Sequence, residues 1–341
     1  MGRTGEGEGA GASRWHALAA RALDDVPISP DQGLSILRAP DEELLELLAA
    51  AYRVRYRWFG NQVHLNFLIN AKSGLCGEDC AYCSQSRVSR AEIPVYALVQ
   101  PEQILAGAAA AAGRRARTYC IVVSGRAPSH RELEAIASLV PRIKGTWDLK
   151  ICVSAGLLTF EQAAGLKACG VDRVNHNLNT SERFYPQICS THTYRQRCDT
   201  LRAVRTAGLE ICSGGIIGLG EEDADVVDLA LRLGEFRPEA IPVNFLLPIP
   251  GTRLEKARGL NPRYCLKVLA LFRLANPRSE LRIAAGREVH LGSLQPLGLY
   301  PANSIFVGDY LTTKGQAPED DFRMIEALGF EPVLEIGGRT G

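Results

Sequence analysis

The sequence predicts an α/β protein, a (β/α)8 TIM-type barrel that carries an N-terminal helical extension. Three observations predict it. Eight short β-branched or apolar runs alternate with stretches of helical periodicity between residues 61 and 331, as parallel βα units do. Three of those helical stretches end alike, at Gly170, Gly208 and Gly329, each followed by an apolar residue; glycine just past a helix takes the left-handed conformation that stops it. The 341 residues, 46% hydrophobic, accommodate one barrel of about 250 residues plus extensions. A doubly wound open sheet shares the alternation, so the strand count is what favours the barrel.

Residues 1–13 are mostly Gly, Glu, Ala and Thr, too poor in apolar groups to order themselves, and are expected to be a disordered tail. Over 14–60, apolar residues recur at helical spacing at 15–23 and 41–57, with Pro40-Asp41 as a start signal for the second; these form the extension. Strands are expected at 63–70, 118–124, 149–154, 171–178, 209–217, 241–247, 281–285 and 304–307. Helices are expected between them at 101–112, 131–144, 160–168, 194–206, 224–234 and 262–274, with a weaker one at 289–297 and a last one after Pro318. Residues 332–341 are a C-terminal tail.

Net charge is +1, from 39 basic and 38 acidic side chains, so there is no electrostatic reason to expect nucleic acid or a membrane surface as partner. No run approaches the length of a membrane span, and the N-terminus lacks a secretory pattern. A cytoplasmic protein is expected. In that compartment its ten cysteines read as ligands, reactive thiols or buried small residues rather than disulfides.

Three of them, Cys76, Cys80 and Cys83, form a Cys-x-x-x-Cys-x-x-Cys loop directly after the first predicted strand. They can grip one inorganic core but are a ligand short of closing it. A structural zinc site wants four protein ligands, and the nearest histidine, His64, lies inside the preceding apolar run. A 4Fe-4S cubane also normally takes four thiolates, so three leave one iron open. A zinc knuckle or a chance cluster is the bland alternative.

In a β/α barrel the chemistry gathers at the C-terminal ends of several strands. Cys120, Cys152, Asn175 with Asn177, Cys212, Asn244 and Arg282 fall on the second to seventh predicted strands in turn. Any one cysteine reads as a small buried residue; three on three strands suggest a second, smaller iron-sulfur core. On chemistry alone Arg282 is a salt-bridge partner, because guanidinium is almost always protonated. Asn175, Asn177 and Asn179 put amides where a buried strand should be apolar, which fits either a ligand with hydrogen-bonding edges or a knitting of neighbouring loops. His176, at opposite parity, is expected to face the helices. The glycine-rich segment 213–221 lets backbone approach a ligand closely, but it lacks the dinucleotide fingerprint's spacing.

The cysteine loop, with Tyr82 just before its last thiol, resembles the radical S-adenosylmethionine (SAM) enzymes, and Gly214, Ile216, Gly218 and Glu221 resemble the stretch those enzymes place beside the adenine. With the segments 173–181, 211–221, 285–288 and 302–306, the chain resembles the biotin synthase family from about residue 67 to 328. That resemblance implies sulfur insertion into dethiobiotin by a 5′-deoxyadenosyl radical. It implies a 4Fe-4S cluster on Cys76, Cys80 and Cys83, SAM on its open iron, and an auxiliary 2Fe-2S or larger cluster on Cys120, Cys152, Cys212 and Arg282. Asn175, Asn177 and Asn244 match substrate contacts, and Asn177 with Asn179 the SAM ribose contact. Tyr82, Gly214, Ile216, Gly218 and Glu221 complete the SAM site. A reducing partner such as flavodoxin or ferredoxin, and a homodimer, are also implied.

Three features depart from that pattern. Asn179 stands where many relatives have Asp, the loop 247–251 lacks the basic residues of other versions, and Cys189 is an extra thiol that is a candidate auxiliary-cluster ligand. A radical SAM enzyme of the hydrogenase maturase or methylornithine synthase type, which does not need the Cys120, Cys152, Cys212 and Arg282 set, is the alternative reading, followed by a non-catalytic iron-sulfur protein.

Overall fold

The computed structural model describes residues 13–333; the expected tails lie outside these residues, except for Ser13, Pro332 and Val333. The extension comprises α1 (Arg14–Leu23), α2 (Pro30–Leu37) and α3 (Leu44–Phe59). In α1, Trp15, Leu18, Ala19 and Ala22 are buried, the i, i+3, i+4, i+7 stripe of a helix packed on one side. The periodicity reading passes over α2 because eight residues hold barely two turns. Its signal is local instead: Ser29 and Gln32 form a reciprocal capping box around Pro30 at the first turn.

The barrel then alternates β1 (Gln62–Lys72), α4 (Pro101–Gly113), β2 (Thr118–Val123), α5 (His130–Thr146), β3 (Lys150–Ser154), α6 (Phe160–Ala168) and β4 (Arg173–Asn175). A short α7 (Tyr185–Ile188) precedes α8 (Tyr194–Thr206), β5 (Glu210–Cys212), β6 (Gly215–Ile217), α9 (Asp223–Phe236), β7 (Ala240–Phe245), α10 (Pro262–Ala275) and β8 (Glu280–Ile283). Next come α11 (Arg287–Leu291), α12 (Gln295–Gly298), β9 (Ser304–Phe306), α13 (Pro318–Ala327) and β10 (Glu331–Pro332). All sheet pairings are parallel, and β1 pairs with both β2 and β9, which closes the ring. Closure leaves no edge within the ring. β10 adds itself outside, with Pro332 opposite Val63, so the sheet reaches one residue into the expected tail.

Two expected elements are broken. The strand at 209–217 is β5 and β6 in succession, interrupted at Ser213-Gly214, and together they form one of eight staves. The helix at 289–297 is split by a 3-10 turn, Gly292–Leu294, whose glycine has φ of 50°. At the first break the cause is steric: a Cβ on Gly214 would lie 1.9 Å from the carbonyl oxygen of Pro242. Gly214→Ala is therefore expected to destabilise the fold by about 1–3 kcal/mol, the usual cost of overpacking. A denaturant midpoint equal to that of the parent chain would refute this.

The extension packs on α9 and α10, and α3 reaches the N-terminal ends of the strands. Arg55 of α3 is fully buried and donates to the carbonyls of Ala302 and Gln62 at 3.0 Å each, with its guanidinium 4.4 Å above the Phe330 ring. The loops after the strand C-termini are where a β/α barrel builds its site.

Candidate active site

β1 ends in a tight reversal in which Gly74 and Leu75 both have positive φ, 64° and 55°. It leads into the cysteine loop, which has no helix or strand to hold it and is held by side chains and by one backbone bond to the α7 segment instead. Gln85 Oε1 accepts from Gly74 N at 3.0 Å, and Ala81 N donates to the Ile188 carbonyl at 2.8 Å. The Asp79 carboxylate accepts from the backbone of Ser190 at 2.9 Å and of Thr191 at 3.3 Å, while Glu78 pairs with Arg126 at 3.2 Å. Cys76, Cys80 and Cys83 are free thiols. Burial raises the thiols of Cys76 and Cys83, the latter to about 11, so a metal must displace their protons when it binds.

Cys189 does not join the barrel interior as expected. Its sulfur lies 3.8 Å from that of Cys80 and 3.2 Å from His192 Nδ1, because α7 turns the chain back over the cysteine loop. Two thiolates on one tetrahedral metal, with bonds of about 2.3 Å, stand about 3.8 Å apart, so the separation suits one shared ion rather than two neighbouring irons. Cys80, Cys189 and His192 are close enough to share one ion, but such an ion would take Cys80 from the triplet and sit beside the Arg197 guanidinium, which bonds His192 Nε2 at 2.9 Å. Cys189→Ser is accordingly expected to leave total bound iron and sulfide unchanged after anaerobic reconstitution; a loss of either restores the cluster-ligand reading.

Inside the barrel, register does the assembling. Cys120 and Cys152 are paired across β2 and β3, Asn175 and Cys212 across β4 and β5, and Arg282 and Ser304 across β8 and β9. All three thiols are buried. The Cys120 sulfur, and then burial, drive the Cys152 thiol well above its ordinary range. Arg282 donates through Nη2 to Glu280 at 2.6 Å and through Nε to Ser304 at 3.2 Å, leaving Nη1 aimed at Cys212 Sγ, 3.9 Å away. Although burial works against its charge, the Glu280 carboxylate outweighs that and holds Arg282 protonated.

The asparagines do both things their pattern allowed. Asn177 Oδ1 accepts from Gly214 N at 3.1 Å, and Asn244 accepts from Ala285 N at 3.2 Å while donating to the Gly215 carbonyl at 3.1 Å. Asn179, at φ 72°, donates to the Tyr82 hydroxyl at 2.7 Å and ties the fourth strand's end to the cysteine loop. Asn175 donates to the Cys212 sulfur. These bonds knit the loops, yet the Asn177 amide nitrogen remains uncommitted and lines the cavity described next. Glu221 holds Gly218 N at 2.7 Å through one oxygen; the other is buried with no partner, and burial raises its pKa. His176 is buried, and burial keeps its imidazole neutral.

A cavity of about 250 Å³ joins these parts. Its lining runs from Tyr82 and Cys83 through Asn175, Asn177, Ile216 and Asn244 to Cys120 and Arg282. It therefore connects the wall that carries the cysteine triplet with the wall that carries the inner thiols. Donor chemistry at both ends fits iron-sulfur groups: three thiols each, with the Arg282 guanidinium at the inner end, which would have to release a proton in order to ligate.

Sequence reasoning missed the charged set below the inner thiols. Arg173 bonds Glu280 at 3.1 Å and Glu210 at 2.8 Å, and Lys150 bonds Glu210 at 2.6 Å. Their signal was parity: Arg173 shares the inward phase of Asn175 and Asn177, and Glu280 that of Arg282.

This combination of a closed barrel, a three-thiol loop after its first strand and a glycine-rich turn on its fifth stave defines a radical SAM enzyme. Residues 72–233 match the radical SAM superfamily, and residues 242–331 match the biotin and thiamin synthesis associated domain. The chain belongs to the biotin synthase family. It is 55% identical over 317 residues to a biotin synthase of Rhodopirellula baltica, covering 93% of this chain and 88% of that one, and 52% identical over 319 residues to that of Bacillus subtilis strain 168, covering 94% and 95%. Among solved structures it resembles a methylornithine synthase, with TM-score 0.81, 21% identity and 93% and 97% coverage. It also resembles the FeFe-hydrogenase maturase of Carboxydothermus hydrogenoformans, with TM-score 0.79, 16% identity and 94% and 79% coverage. At those identities the likeness shows the shared barrel alone. No helix among the described residues is long and apolar enough to cross a membrane.

Proposed function

We propose that the chain converts dethiobiotin to biotin by inserting sulfur at two unactivated carbons. The observation that carries this is the cavity lined at one end by Cys83 and Tyr82 and at the other by Cys120 and Arg282. When bound, a reduced 4Fe-4S cluster on Cys76, Cys80 and Cys83 supplies the electron that cleaves SAM, and an auxiliary iron-sulfur cluster on Cys120, Cys152, Cys212 and Arg282 supplies the sulfur. The protein's own part is positioning and exclusion of water. Asn177 and Asn244 present amides to the cavity, and Leu68, Phe245, Phe306 and Leu311 wall it with apolar surface. Gly214, Ile216, Gly218 and the half-satisfied Glu221 border the SAM site; Tyr82, fixed by Asn179, closes it from the loop side.

Because the reaction consumes electrons, this reading includes a reducing partner of the flavodoxin or ferredoxin kind; a homodimer and cytoplasmic location accompany it from the family. The test is anaerobic. The chain is reconstituted with iron and sulfide, given SAM, dethiobiotin and a strong reductant, and assayed by mass spectrometry. Biotin should appear together with an excess of 5′-deoxyadenosine, since each product needs two C–H bonds broken. Deoxyadenosine without biotin would overturn the substrate or the auxiliary cluster; neither product from a chain with its cluster intact would overturn the radical chemistry.

A further inference from the structure

Two segments on the rim of the cavity carry a charge that the rest of the chain does not share. Residues 84–92 follow the cysteine loop and residues 248–258 follow β7; together they hold Arg87, Arg90, Arg253, Lys256 and Arg258 against Glu92 and Glu255. The whole chain is only +1, so outside these segments it is net acidic. All five basic residues are exposed, and among the described residues none of them stands in an ion pair. Glu255 accepts instead from Gly251 N at 2.8 Å. The two segments lie backbone against backbone: Arg90 N donates to the Gly251 carbonyl at 2.8 Å, and at Gly251, with φ of 85°, a Cβ would stand 2.5 Å from Ala91 N. Their inner residues Ser84, Gln85 and Ile249 line the cavity. Successive turns tie the first segment to the thiols, since Ser86 N donates to the Cys83 carbonyl at 3.2 Å and Arg87 N to that of Glu78 at 2.9 Å. The exposed charges therefore lie directly outside the loop that carries Cys76, Cys80 and Cys83.

We propose that this patch, Arg87 and Arg90 on one segment with Arg253, Lys256 and Arg258 on the other, is the docking surface for the reducing partner, a small flavodoxin-type protein of net negative charge. The inference rests on the radical reading proposed above, which requires a supply of single electrons. An electron carrier needs no deep pocket; it needs a complementary surface beside the cluster's ligands, and Cys83 is only half-buried. No bond forms or breaks on docking: the carrier loses one electron, the cluster gains it, and the cleavage of SAM consumes it. Five exposed cations spread over two segments suit a broad acidic surface better than a single substrate carboxylate. Solvated charges of this kind hold a partner weakly, each pair being worth about 1 kcal/mol or less, yet they raise association rates by about 10–10³-fold. That combination fits a carrier that must leave and return, because two C–H bonds are broken for each product.

The experiment measures 5′-deoxyadenosine release by the reconstituted chain, with SAM and dethiobiotin fixed, against the concentration of an acidic flavodoxin reduced photochemically so that no second protein is needed. A parallel series uses excess dithionite, a small reductant that needs no docking surface. Arg87→Glu with Arg90→Glu, and Arg253→Glu with Lys256→Glu, should each raise the half-saturating flavodoxin concentration by about tenfold or more and leave the dithionite rate within about twofold of the parent. Arg53→Glu with Arg142→Glu, a charge-matched change at exposed positions of α3 and α5, should follow the parent. Raising ionic strength from about 0.01 M to 0.1 M shortens the screening length from about 30 Å to 10 Å, so half-saturation should rise steeply in the parent and little in the reversed chains. Reversed chains that saturate with the parent, or a charge-matched control that shifts with them, overturn the inference, as does a parent that turns over with dithionite but not with flavodoxin. A reversed chain that slows equally with dithionite also overturns it, because the charges would then serve the chemistry. Retardation of a short DNA duplex that both reversals abolish, with flavodoxin saturation unmoved, overturns it in favour of nucleic acid. A parent chain that releases no deoxyadenosine with dithionite overturns the radical reading and this inference with it, a result seen without any substitution.

Discussion

Cys80→Ala is expected to abolish SAM cleavage. Cys80 is closely held: its sulfur meets that of Cys189, and its neighbours Asp79 and Ala81 are bonded to Ser190 and Ile188. Removing a partner that merely orients a metal ligand costs about 10–100-fold in affinity or activity; removing one of only three ligands from a cluster that already has an open position should exceed that range. Residues that act as a unit are not additive, so the triple Cys76, Cys80, Cys83 alanine variant should be no worse than the single one. The measurements are iron and sulfide per chain after anaerobic reconstitution, and 5′-deoxyadenosine release with SAM and reductant. Retained deoxyadenosine release in Cys80→Ala would show that Cys189, 3.8 Å away, takes over as ligand. That result would refute the expectation and give the extra thiol a role.

How far the sequence anticipates this molecule depends on the range of the signal. The barrel is legible because alternation and αβ corners are local patterns repeated around the ring, and the cysteine loop because its spacing lies within one short segment. The contact of Cys189 with Cys80 is not legible because it depends on α7, a four-residue helix too short to show a period, which folds the chain back over the loop. The inward phase of Asn175 is legible in the sequence, but its hydrogen bond to Cys212 is set by the β4–β5 register, which no local pattern encodes. Arg173 and Glu280 were visible to the same parity argument, but a charged residue within a strand-like run reads as an edge until its counter-charge is found more than a hundred positions away.

That buried pair gives the second large effect. Glu280→Ala should destabilise the fold by about 3–5 kcal/mol, the cost of breaking a buried ion pair from one side. Glu280 is 5% exposed and accepts from Arg173 at 3.1 Å, Arg282 at 2.6 Å and Ser304 Oγ at 2.7 Å. Arg173 is 4% exposed and Arg282 3%, so neither guanidinium can turn to water when the carboxylate goes. Arg173 keeps Glu210; Arg282 keeps only the Ser304 hydroxyl and the Cys212 sulfur. The loss is therefore concentrated on the residue that faces the inner thiols, and auxiliary iron content should fall along with stability. Glu280→Gln, which keeps the shape and an acceptor but not the charge, should fall between parent and Ala on both measures. The check is the denaturant midpoint at unchanged slope, read beside iron per chain. A Glu280→Ala chain that unfolds at the parent midpoint would mean that water has entered the barrel floor and solvated Arg282, and the inner site would then be open rather than sealed.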